Sequence, residues 1–171
     1  FYSFVMGKKL FSLNFLVNFL ATGFFGSYLI PFAPGFWGMI LGGILAYFTR
    51  KWSLIYKLIL FFAVLILAIP LSSKSEEILN KGKDPHLIVI DEVCAMLFLS
   101  LFFDFFKRIN IFGLKVPLIL VIFLIYGIFD SIKIFLIPKI ENLPRGWGIV
   151  FDDIMAAIYT VISMIIIFRI I

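Results

Sequence analysis

Five carboxylates stand inside stretches of this chain that otherwise have the composition of a membrane protein's interior. Asp91 and Glu92 lie in LIVIDEVCAMLFLSLFF, Asp130 in LILVIFLIYGIFDSIKIFLIP, and Asp152 and Asp153 in GIVFDDIMAAIYTVISMIIIF. A carboxylate in hydrocarbon costs about 2.5 kcal/mol or more, so it persists where a cation, a polar partner or water meets it. The pattern points to a cation-holding site within the membrane or at its edge.

Each group also has a blander role to weigh. Asp91 and Glu92 are helix neighbours about 100° apart. One is free to hold a metal while the other turns to a base or another helix, or both simply reach for the interface. Asp152 and Asp153 read as first-turn acids, which the helix macrodipole favours. Asp130 and Lys133, at i and i+3, form either a plain intrahelical ion pair or a fixed cation suited to a phosphate. KGKDPH puts Asp84 and the single histidine, His86, in the loop before the Asp91 helix, and Asp-Pro favours a turn there. ATGFFGSYLIPFAPGFWG gathers Thr22, Gly23, Gly26, Pro34, Gly35 and Gly38 around an apolar turn. Its glycines either let backbone amides approach an anion or break a helix into a hairpin. No GK[ST] follows, so it is not a Walker loop. Cys94, alone in an apolar run, reads as a small core residue.

The elements that must position these residues are set by hydropathy. Of 171 residues 63% are hydrophobic, with mean hydropathy +1.15, against about 45–50% apolar in soluble domains. An all-α, polytopic membrane bundle follows, a single domain over 1–171. About four spanning helices are expected, in Trp52–Leu71, Leu87–Phe103, Pro117–Ile137 and Gly148–Phe168, with a short N-terminal interfacial or re-entrant helix near Leu10–Leu20. A spanning helix needs about 20 apolar residues. Phe36–Thr49 is short and rich in glycine, suited to close helix contact. FYSFVMGKKLF has the flavour of a signal peptide but no convincing cleavage site, so it is expected to be retained; whether residues 1–5 are native is open. With one cysteine there is no disulfide framework and no thiolate cluster.

Chain direction gathers the acids. Asp91 and Glu92 come early in their segment, Asp130 late in its own, and Asp152 and Asp153 early in theirs. If these segments alternate, all five reach one membrane face. Lysine and arginine are split about evenly between the two faces, so charge bias does not orient the bundle. The net charge of +5 suits anionic headgroups or a phosphorylated substrate; no basic cluster interleaved with aromatics outside the membrane suggests nucleic acid.

Taken in order, ATGFFGSYLIPFAPGFWG, KDPHLIVIDEV, FDSIK and GWGIVFDDIMAAIY resemble the phosphatidylglycerophosphatase A family, from about Phe19 to Tyr159. The resemblance implies a Mg²⁺-dependent, multi-pass enzyme of the inner (plasma) membrane. Such an enzyme acts at the cytoplasmic face, where it removes the terminal phosphate of phosphatidylglycerophosphate. The family's loop aspartate falls on Asp84, its IVIDE acids on Asp91 and Glu92, its aspartate and lysine of R-x-x-D-x-x-K-P on Asp130 and Lys133, and its paired acids on Asp152 and Asp153. Thr22, Gly23, Pro34, Gly35 and Gly38 match the N-terminal motif. The chain departs from the pattern at Gly127 (arginine in the family), Ile134 (proline), Phe36 (threonine), Met39 (serine) and His86 (glycine). An arginine's two-pronged phosphate contact is not replaced by lysine.

The resulting expectation is Mg²⁺ held by Asp91, Glu92, Asp152 and Asp153. Asp84, Asp91, Asp130 and Asp152 are the catalytic acids, with Asp84 and Asp130 both open as the base. Thr22, Gly23, Lys133 and Arg145 are expected on the substrate side. The partners are an anionic phospholipid substrate and the membrane, and a homo-oligomer stays open. A cysteine phosphatase needs C-x₅-R, but Ser100 stands six after Cys94. Competing classes are a small ion-coupled transporter and a non-catalytic scaffold; acids confined to one face argue against conduction.

Overall fold

A computed structural model describes residues 12–30, 32–80, 85–111 and 113–170. The chain is mostly helical. Helix α1 covers Leu13–Ala21, α2 Pro34–Thr49, α3 Leu54–Leu79, α4 Ile90–Leu99, α5 Leu118–Ile132, α6 Ile137–Ile140 and α7 Gly146–Ile170. A two-stranded antiparallel hairpin, β1 (Arg108–Ile111) and β2 (Leu114–Pro117), interrupts the helices, with Arg108 opposite Pro117 and Ile111 opposite Leu114. The hairpin is a departure from the all-α expectation.

Two helices are long and apolar enough to cross a membrane, α3 and α7. At 1.5 Å per residue the 26-residue α3 runs about 39 Å. Its most apolar stretch is only 11% buried, so Ile55, Ile59, Phe62, Ile66 and Leu67 project outward. A helix with so little protein cover needs lipid around it. Trp52 stands beside one end of α3, while Trp147 lines a hollow with Ile69, Pro70 and Ser73 near the other. From Leu54 to Ser73 is about 30 Å of helix, the thickness of a bilayer's hydrocarbon, with interfacial aromatics at both levels.

The expected four spans are not all met by helix length. Leu87–Phe103 yields only the ten residues of α4, about 15 Å. The fifteen-residue α5 and sixteen-residue α2 are also short of a full crossing. Hydropathy reads a continuous apolar run but does not see where the backbone leaves the helix. Here it runs irregularly through Pro85–Val89 before α4 and turns again after Ser100. Non-helical backbone at membrane depth is tolerated only where protein covers it and pairs its amides. Val89 donates to the Ala21 carbonyl at 2.8 Å, and the Ser27 hydroxyl donates to the Leu87 carbonyl at 2.9 Å. Helix α4 is accordingly the core element: Cys94, Ala95, Met96 and Leu99 are fully buried, between α2 on one side and α7 on the other.

Small residues set these contacts. A Cβ on Gly38 would stand 2.6 Å from the Val89 carbonyl oxygen and 2.9 Å from Glu92 Cβ, and one on Gly42 would collide with Met96. Gly35, Gly38 and Gly42 thus clear a strip of α2 along which α4 lies. On its other side Ala156 and Ala157, both fully buried, bring α7 into the same core.

Candidate active site

The first turn of α4, the C-terminal end of α5 and the second turn of α7 meet around one open cavity of about 390 Å³. Its walls include Asp91, Glu92, Asp130, Lys133 and Asp153, with His86 and Phe32 beside them. Ligand oxygens of Asp91, Glu92 and Asp153 lie within 4.8 Å of one another. Asp91 is 6% exposed, Glu92 9% and Asp153 4%. Carboxylates crowded this closely and this dry repel one another unless a cation or a shared proton joins them. Gly35 and Gly38 open the space that Glu92 occupies, since any side chain there would meet its carboxylate or its Cβ.

Asp152 and Asp153 do not sit in the first turn of their helix, as the sequence suggested; α7 begins at Gly146 and its first turn carries no acid. Capping therefore does not explain them. They point apart, as helix neighbours do. Asp153 faces the cavity, and its Oδ2 accepts a 2.7 Å hydrogen bond from the Tyr126 hydroxyl. Asp152, 2% exposed, takes the Lys133 ammonium at 2.8 Å on Oδ2 and the Asp153 amide at 2.9 Å on Oδ1. Glu141 adds a second contact to Lys133 at 3.3 Å. Lys133 is not on the helix face with Asp130 as a regular i, i+3 partner. It caps α5 in the left-handed conformation, φ 48°, which swings its side chain toward α7.

Thr22, Gly23 and Arg145 lie apart from this cavity. Thr22 is fully buried and donates its hydroxyl to the Asn18 carbonyl at 2.6 Å, closing its own helix. Gly23, at φ 59°, offers its carbonyl to the Trp37 indole at 2.8 Å. Elsewhere in the N-terminal motif, Ala21 and Ser27 brace the backbone that enters α4, and Pro34 and Gly35 line the acidic cavity. Arg145 is directed to Glu77 at 3.1 Å, on the hollow beside Trp147. Asp84 lies outside the described residues.

Tyr126 and Glu141 were missed by sequence reasoning. A signal for Tyr126 existed: it stands at i−4 from Asp130, one helical turn back in an otherwise apolar segment. Glu141 had none, because its approach to Lys133 depends on the turn through α6. Among positions that depart from the family pattern, His86 lines the cavity and Phe36 packs edge-on to Phe123, with ring centres 6.1 Å apart. Gly127 faces open space, for a Cβ there would meet nothing within 4 Å.

The family described as Phosphatidylglycerophosphatase A matches residues 19–168. A Haemophilus influenzae protein named "Phosphatidylglycerophosphatase A" is 35% identical over 157 residues, covering 91% of this chain and 90% of that protein. A Bacteroides thetaiotaomicron protein named "Putative phosphatidylinositol-3-phosphatase" is 29% identical over 170 residues, covering 87% of this chain and 91% of that protein. No solved structure matches the chain. With the acids of three ordered motifs around one cavity and the family matched over nearly all of its length, the chain belongs to the phosphatidylglycerophosphatase A family.

Proposed function

We propose that this protein hydrolyses the terminal phosphomonoester of phosphatidylglycerophosphate to phosphatidylglycerol and phosphate, as a step of phospholipid biosynthesis. The observation that carries the reading is the convergence of Asp91, Glu92 and Asp153 beside Lys133 on one open cavity, in a chain of this family. We place the enzyme in the inner (plasma) membrane as a multi-pass protein with the cavity at the cytoplasmic face; the outward apolar surface of α3 supports the membrane setting.

The donor set suits Mg²⁺, which prefers carboxylate oxygens and keeps several waters. Glu92 Oε2 is buried with no hydrogen-bond partner among the described residues, as an oxygen directed at a cation would be. Asp91, Glu92 and Asp153 would hold the ion. Bound there, it would screen the phosphate charge and lower the pKa of a water. The side chains supply the rest. Asp152 and Glu141 hold the Lys133 ammonium at the cavity wall, where it meets phosphate oxygens as their charge builds. Tyr126 keeps the Asp153 carboxylate turned inward. Asp130, on the same wall, is placed to move a proton to or from the reacting oxygens. This arrangement gives Asp152 a positioning role in place of a metal-holding one.

Ion transport finds less support. Below the acids the bundle interior is filled by Met39, Met96, Leu99, Leu118 and Ile122, an apolar plug without a polar relay among the described residues. A different lipid headgroup is the second reading, favoured by the name of the Bacteroides relative; the phosphomonoester chemistry is the same.

Phosphate release by the detergent-solubilised protein tests both. Release from phosphatidylglycerophosphate should require Mg²⁺ and stop with EDTA. Asp91→Asn and Asp153→Asn should each lower it roughly 100-fold or more, beyond the 10–100-fold usual for loss of a mere supporting residue. Metal-independent release, or release indifferent to both substitutions, would sink the proposal. Faster release from phosphatidylinositol 3-phosphate would favour the second headgroup.

A further inference from the structure

The end of the bundle remote from the acids is strongly cationic. Helix directions bring there Arg50, Lys51, Lys57, Lys107, Arg108 and Lys115, and Asp104 is the sole acid at that end among the described residues. Two cavities open side by side at this end and share Phe102, Phe103 and Asp104 as walls. The smaller, about 170 Å³, is bounded by Arg50, Lys57 and Ser100. The larger, about 640 Å³, is bounded by Lys107 and Arg108 on its rim and by Ile109, Leu118 and Phe168 on an apolar wall.

We propose that these adjoining cavities hold one anionic phospholipid as a resident ligand, separate from any substrate, its phosphate among Arg50, Lys57, Lys107 and Arg108 and an acyl chain against Phe103, Ile109 and Phe168. None of the four cations forms a salt bridge among the described residues; Arg50 only stacks over Tyr47, 4.2 Å from the ring centre. Four cations against one carboxylate leave positive charge that an anionic headgroup matches and a zwitterionic one, with its own cation, does not. Phe102 and Phe168 remain 55% and 41% exposed, apolar surface that free phosphate would leave uncovered. The walls are held in place. Leu118 donates to the Lys107 carbonyl at 2.9 Å and Ile119 to the Phe105 carbonyl at 3.0 Å, while Phe105 is buried beneath. The apolar core around Met96 and Ile122 divides this end from the acidic cavity, so the two sites bind independently.

Native mass spectrometry of the whole detergent-solubilised protein, titrated with phosphatidylglycerol, phosphatidylcholine or inorganic phosphate, tests this. Phosphatidylglycerol should be retained in preference to phosphatidylcholine, and inorganic phosphate should not compete at equal concentration. Lys107→Ala/Arg108→Ala should weaken retention roughly 30-fold, the worth of two cations near an anionic surface; Arg50→Ala should weaken it independently. Asp91→Asn, in the other cavity, should leave it unchanged. Equal retention of both lipids, displacement by phosphate, loss with Asp91→Asn, or indifference to the cationic substitutions would each overturn the proposal.

Discussion

The Tyr126 hydroxyl is the clearest single-atom support of the acidic site. Fully buried in α5, it has one hydrogen bond to give among the described residues and gives it to Asp153 at 2.7 Å. A group bonded to a metal-holding carboxylate fixes its orientation, and losing it usually costs 10–100-fold in metal affinity. Tyr126→Phe is therefore expected to raise the Mg²⁺ concentration for half-maximal phosphate release by about 10–100-fold, while excess Mg²⁺ restores most of kcat. A metal titration of the variant checks this; an unchanged midpoint would show Asp153 to be held by other means. Lys133 belongs to the same scale. Its ammonium, caught between Asp152 and Glu141, is displaced from solvent yet still on the cavity wall, which suits a phosphate contact better than a mobile surface lysine would.

Between elements, the decisive contact is α2 against α4. Gly38 has no substitute without displacement, because an added Cβ would press on the Val89 carbonyl at 2.6 Å and on Glu92 Cβ at 2.9 Å. Gly38→Ala should cost about 1–3 kcal/mol, typical of overpacking, and should also raise the Mg²⁺ concentration needed for activity by moving Glu92. Gly127→Ala is the matched control: it lies in α5 with nothing within 4 Å of the added carbon. Helix propensity alone would make it neutral or up to about 1 kcal/mol stabilising. Thermal melts of both variants in one detergent decide the matter. Equal melting temperatures would mean that the α2–α4 approach is looser than the structure shows.

For the whole molecule, two ends of unlike character define an axis. The acids and their lysine occupy one end, and an almost unopposed group of cations the other. Placed across a bilayer along α3, these ends face opposite sides. The single native cysteine, Cys94, is fully buried, which leaves introduced cysteines as clean reporters. Lys139→Cys and Lys115→Cys are both at exposed positions, at the acidic and cationic ends respectively. A membrane-impermeant thiol reagent applied to sealed cells should label only Lys115→Cys, and Lys139→Cys should react only once the membrane is opened. Labelling of both from the same side would overturn the two-sided placement.

Sequence by itself determined the cost of the acids, and from that cost the need for them to converge. Their early, late and early positions in successive apolar segments placed them at one end before any contact was known. Hydropathy also marked α3 and α7, whose apolar runs coincide with unbroken helix. Tertiary structure decided everything that depends on where the backbone leaves the helix. That includes the ten-residue length of α4, the hairpin, the left-handed turn that aims Lys133 at Asp152, and the division of Asp152 from Asp153. Ala21 and Ser27, inside a legible motif, revealed their bracing of the backbone entering α4 only through hydrogen bonds made across the fold, to Val89 and Leu87. Local composition records which residues tolerate lipid, but a site built from three helices is set by distances between segments far apart in the chain.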